Sequence, residues 1–172
     1  CQLIVLKILS IKFASDLSKI NVKHRSNLLN GLLELPRLYA EILSQNENIK
    51  KLCKKFIGSN SVLYLGRDVL YPIALEGALK LKEISYLHAE GYASGELKHG
   101  PIALIDKSMP LVALNPWSKV FEKTLSNLEE VKARRGKIIL FTDKKGRELS
   151  KDLTKLIFFL NKLLCSESQG AA

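Results

Sequence analysis

Apolar residues in the first third of the chain recur at helical spacing. Over residues 23–44, Leu28, Leu29, Leu32, Leu33, Leu35, Leu38 and Ile42 fall three to four positions apart, which predicts an amphipathic helix. Pro36 lies inside this run and predicts a kink or a break. Residues 2–14 are apolar with lysines at helical spacing, and they read as a helix that needs a partner surface. A further helix is expected over 46–56, with Ile49, Leu52, Cys53 and Phe56 on one face and Gly58-Ser59-Asn60 ending it.

Beyond residue 60 the pattern changes. Short β-branched and apolar runs appear at 61–65 (SVLYL), 109–114 (MPLVAL), 137–141 (KIILF) and 155–160 (KLIFFL), each suited to a buried strand. Helical stretches separate them. One follows Pro72 and reaches about residue 86, one spans 118–134 and closes at Gly136, and a short one is expected over 147–153. Strands that are apolar on both sides and alternate with helices predict a parallel sheet covered on both faces. The fold class is therefore α/β, a three-layer α-β-α domain preceded by a helical segment. The expected organisation is a helical segment over 1–57, the α/β domain over 58–165 without a final helix, and a disordered tail over 166–172.

Composition narrows the function. The 172 residues suit about one domain. The net charge of +10 is spread over scattered lysines without interleaved aromatics, so nucleic acid is not expected as a partner. A positive surface would still attract phosphorylated metabolites. The three cysteines, Cys1, Cys53 and Cys165, form no CxxC, which argues against zinc and against a disulfide framework. A reducing, cytoplasmic setting fits. The apolar run at 3–9 is interrupted by Lys7 and followed by Lys12, so no membrane span is expected.

Candidate chemistry concentrates in residues 65–104, where Glu76, Lys80, Glu83, His88, Glu90, Glu96, Lys98 and His99 crowd beside a strand-to-helix turn. Helical spacing places Glu76, Lys80 and Glu83 on one face. This face reads either as surface ion pairs or as a proton-handling group, a carboxylate tuned by a neighbouring cation and partial burial. Gly91, Gly95 and Gly100 predict a structured loop and a short helix over 88–101. His99, before Gly100-Pro101, is either a helix-end cap or a group held toward a site. His88, Glu90, Glu96 and His99 lack metal-ligand spacing, and no metal is expected. Gly66-Arg67, after the first strand, could meet a phosphate through backbone donors at the helix start.

The same stretch carries a resemblance. EGALKLKEISYLHAE and GELKHGPIALID, with MPLVALNP and NLEEVKARRGKIILFTD, are similar to the second sugar-isomerase (SIS) domain of the glutamine–fructose-6-phosphate aminotransferase family. The resemblance runs from about Gln2 to about Asp143. It implies an SIS-type fold and a role in converting fructose 6-phosphate and ammonia to glucosamine 6-phosphate, with no cofactor. It implies Glu83 as the base for proton transfer between C1 and C2, and His99 as the ring-opening group reaching a neighbouring subunit of a homodimer. Lys80 and Glu76 would orient the open sugar and the base. The implied partners are the sugar phosphate and a chain carrying the first SIS and glutaminase domains. The family's Ser/Thr-rich phosphate loops and its C-terminal substrate lysine find no match here, and Cys1 does not match the glutaminase nucleophile. The expectation is that this chain is inactive alone. A non-catalytic sugar-phosphate-binding module and a dimerisation remnant are the alternatives.

Overall fold

The computed structural model describes residues 2–153 in full and the backbone of 157–159. The chain divides into two compact units, residues 1–46 and 47–172.

The first unit is helical. Helix α1 (Gln2–Asp16) contacts α2 (Val22–Ser44), and Arg25 Nη1 donates to Ser15 Oγ at 3.1 Å between them. Asn21 caps α2 by accepting from the His24 N–H. Pro36 neither breaks nor ends this helix, which continues through it to Ser44. The missing N–H removes one bond from a 23-residue ladder whose other bonds hold it. Leu3, Leu6 and Phe13 of α1 remain exposed, so the described residues do not supply the partner surface they call for.

Helix α3 (Asn46–Cys53), shorter than the expected 46–56, begins at the boundary, and the second unit then builds the sheet. Its strands are β1 (Ser61–Gly66), β2 (His88–Ala93), β3 (Pro110–Leu114), β4 (Lys137–Thr142) and β5 (Ile157–Phe159). All neighbours are parallel, in the order β2-β1-β3-β4-β5. Helices α4 (Tyr71–Ser85), α5 (Phe121–Ala133) and α6 (Lys144–Leu149) connect them. The last lies three residues earlier than expected because Asp143 caps it, its Oδ1 accepting from the Gly146 N–H at 2.7 Å.

Strand alternation sorts the core into two layers. Leu63, Leu65, Leu111, Ala113, Ile138 and Leu140 point to one face, where Leu128 and Val131 of α5 cover them with Leu97 and Ile105. Val62, Ala89 and Val112 point to the other, against Ala78 of α4, Tyr64 and Phe56. This is the expected three-layer α-β-α arrangement.

One expectation fails. Residues 88–93 form a strand at the sheet edge, paired with β1 along its whole length, rather than a loop. Only the residues after it turn into short 3₁₀ segments, at Ser94–Glu96 and Pro101–Leu104. The glycine that suggested a loop serves the strand instead. A Cβ on Gly91 would lie 2.9 Å from the backbone of Leu75, so its absence lets α4 press onto the sheet edge. The expected tail over 166–172, and the absence of a final helix, lie outside the described residues.

Candidate active site

The strand order reverses between β1 and β3, which places the crevice of the sheet at the carboxyl end of β1. Gly66 ends that strand. A Cβ there would sit 2.1 Å from the Leu70 carbonyl oxygen, so only glycine allows the tight turn into α4. Asp68 holds a left-handed conformation with φ 55°, and Pro72 occupies the first turn of the helix. Arg67 is half-buried, and its guanidinium rests beside Gly95.

From this turn α4 runs back along the sheet. Ala74 and Ala78 face the core, so the small-residue side of the helix is the packed one. Glu76, Lys80 and Glu83 share another face. Lys80 Nζ lies 2.7 Å from Glu83 Oε2 and 3.7 Å from Glu76 Oε1. All three side chains are about half exposed, at 54%, 57% and 51% for Lys80, Glu76 and Glu83. The hydrogen bond from Lys80 to Glu83 is the largest influence raising the lysine pKa, with the charges of Glu83 and Glu76 adding to it. The pairing expected of a tuned base is present. The burial expected of it is not supplied by the described residues.

His99 stands elsewhere. It follows the carboxyl end of β2, in a turn where its N–H donates to the Glu96 carbonyl at 3.0 Å. Glu83 lies twelve residues into α4, about 18 Å of helical rise back toward the amino ends of the strands. Among the described residues, no hydrogen bond or ion pair joins His99 to the Glu76–Lys80–Glu83 face. The structure thus brings three of the expected residues together and leaves His99, Gly66 and Arg67 at the sheet's carboxyl end.

On β2, the Tyr92 hydroxyl donates to Glu90 Oε2 at 2.5 Å, which raises the tyrosine pKa, and His88 Nε2 lies 3.4 Å from Glu90 Oε1. Glu90, Tyr92, Lys82, Leu75 and Leu79 line an open groove beside α4. Among the described residues, no three His, Cys, Asp or Glu side chains gather where a metal could be held.

Sequence reasoning passed over Asn127. It lies on the buried face of α5 with Phe121, Thr124, Leu128 and Val131, and its Nδ2 donates to the Ser94 carbonyl at 2.5 Å. The available signal was a polar residue at core spacing in an amphipathic helix.

The SIS domain family model matches residues 55–161. The chain belongs to the SIS domain family. This SIS domain and its preceding helices are 55% identical over 148 residues to a glutamine–fructose-6-phosphate aminotransferase (isomerizing) of Bradyrhizobium diazoefficiens, covering 86% of this chain and 24% of that protein. A protein of the same name from Bartonella quintana is 49% identical over 150 residues, covering 87% of this chain and 25% of its own length. Among solved structures, the C-terminal domain of glucosamine-fructose-6-phosphate aminotransferase from Francisella tularensis matches with a TM-score of 0.81 and 41% identity, over 89% of this chain and 43% of that one. The SIS chain therefore spans about a quarter of the length of the curated relatives it matches.

Proposed function

We propose that this chain forms part of the isomerase half of a glutamine–fructose-6-phosphate aminotransferase, acting on fructose 6-phosphate and ammonia derived from glutamine. The observation that carries this reading is the Glu76–Lys80–Glu83 face of α4, a cation bridged to two carboxylates on a rigid helix within a chain so similar to those relatives. Glu83 serves as the base. Once ammonia has formed an imine at C2 of the opened sugar, with the C2 oxygen leaving as water, Glu83 takes a proton from C1 as the imine nitrogen gains one, and then returns its proton to C2 as the O1 hydroxyl loses one, leaving the amine on C2 and an aldehyde at C1. Lys80 fixes the Glu83 carboxylate by a hydrogen bond of 2.7 Å, and Glu76 helps fix Lys80 and the open sugar. His99 assists ring opening in the site of a second copy, a role supported by its place at the opposite end of the domain from Glu83. Gly66 and Arg67, at the same end of the domain as His99, bound the substrate region of that second copy with it.

This reading places the protein in the cytoplasm, as a homodimer, with the first SIS domain and the glutaminase domain completing the site. Its organisation is a helical segment over 1–57 and the SIS domain over 58–165. No helix among the described residues is long and apolar enough to cross a membrane.

The chain alone should yield no glucosamine 6-phosphate from fructose 6-phosphate and ammonium. Combined with a chain carrying a first SIS domain from a relative, it should yield product, and Glu83→Gln should lower kcat by roughly 10²-fold or more, the scale of a lost proton-transfer group. Full turnover by Glu83→Gln in that mixture would sink the assignment. Titration with glucosamine 6-phosphate separates the alternatives: binding without turnover in any mixture favours a sugar-phosphate-binding module, and no binding favours a dimerisation remnant.

A further inference from the structure

We propose that α5, through Asn127 and Glu130, sets the position of the turn that carries His99, making Asn127 a positioning residue for that histidine. The catalytic value of this rests on the reading of His99 given above; the structural claim does not.

Three contacts grip the turn. At its root, Ser94 is fully buried and its carbonyl accepts from Asn127 Nδ2 at 2.5 Å, a bond spanning 33 residues of sequence. Past the middle, Lys98 Nζ meets Glu130 Oε1 at 2.5 Å. From the sheet side, the Arg67 guanidinium packs on Gly95, where an added Cβ would come within 3.2 Å of Nη2. Leu97 points inward and is fully buried between these contacts.

Asn127 and Glu130 are three residues apart on one helix and therefore share a side of it. They hold residues 94 and 98, which bracket the turn immediately before His99. A buried amide is a costly choice on a core face unless it is hydrogen-bonded, and Asn127 directs its amide to this one carbonyl. His99 itself is exposed, so its placement depends on the backbone of the turn.

The test uses the 172-residue chain and NMR. Asn127→Leu keeps the branched outline and the number of heavy atoms and removes the donor. It should shift the His99 imidazole signals and speed amide exchange at Leu97 and His99 by about tenfold or more, as a locally released segment does. The amides of Glu76, Lys80 and Glu83 should stay in place. Glu130→Gln, a change at a partly buried side chain, should move the same signals in the same direction by less. Unmoved His99 signals in folded Asn127→Leu, or shifts spread evenly over the whole domain, overturn the proposal. Should Asn127→Leu not fold, Glu130→Gln alone decides: movement of the His99 signals supports the proposal, and signals that stay in place overturn it. None of these readouts depends on turnover. A chain without sugar-phosphate chemistry would lose the catalytic use of this device and keep the device.

Discussion

Single residues show how far charge and hydrogen bonding act locally. Asp106 Oδ1 accepts from the Ser108 N–H, the Ser108 hydroxyl and the Met109 N–H at 2.7, 2.6 and 3.0 Å, closing the turn into β3. The Ser108 bonds, side chain first, hold the carboxyl below its usual 3.8. A carboxyl with a depressed folded pKa stabilises the fold fully above the unfolded value and loses that contribution as pH falls through the folded one. Replacing Asp106 by Ala should therefore lower Tm at pH 7, and the gap from wild type should close below about pH 3.8. A gap that stays constant down to strongly acidic pH would show that the charged form is not what holds the turn. The Glu76, Lys80 and Glu83 set was legible at this scale because helical periodicity alone fixes which side chains share a face. Asn127 was not, since nothing local says that a helix polar residue faces inward.

At the level of elements, close approach of backbones decides most of the design. Gly66 lets the chain turn from β1 into α4, and Gly91 lets α4 seat against the edge strand. Gly66→Ala should cost at least about 1–3 kcal/mol in urea unfolding, the usual penalty of forcing atoms into a packed site. Leu128→Ala should cost about 2–5 kcal/mol, because Leu128 is fully buried under the sheet and its loss leaves a cavity. Equal stability of either variant with wild type would mean that the contact is not maintained in solution. Strands β1, β3 and β4 were readable because they are buried on both faces and so carry unbroken apolar runs. The edge strand β2 escaped notice for the converse reason. As an edge it tolerates His88, Glu90 and Gly91, and its identity comes from pairing with β1 rather than from its own composition.

For the whole molecule, exposed apolar surface points to assembly. Besides Leu3, Leu6 and Phe13 on α1, Ile73, Leu75 and Leu79 of α4 stay partly exposed beside the proposed catalytic face. Carboxylates that await burial and apolar side chains that await a partner suit one wall of a composite site. The dimer proposed above predicts a light-scattering mass of twice the chain's 19.3 kDa at micromolar concentration. A monomer up to the millimolar range would remove the homodimer, and with it the delivery of His99 to a second site.

The sequence by itself determined the class of fold, the parallel character of the sheet and the shared face of Glu76, Lys80 and Glu83, because periodicity and burial are written in the order of residue types. Only the tertiary structure decided that residues 88–93 are a strand, that Pro36 is carried within a continuous helix, and that His99 and Glu83 belong to opposite ends of the domain. The first and last depend on contacts between residues distant along the chain, the ladder from β1 to β2 and the antiparallel return of α4 along the sheet, while the second rests on the local ladder of α2 closing around one missing bond. Local pattern sets what each segment can become, and long-range pairing chooses among the possibilities.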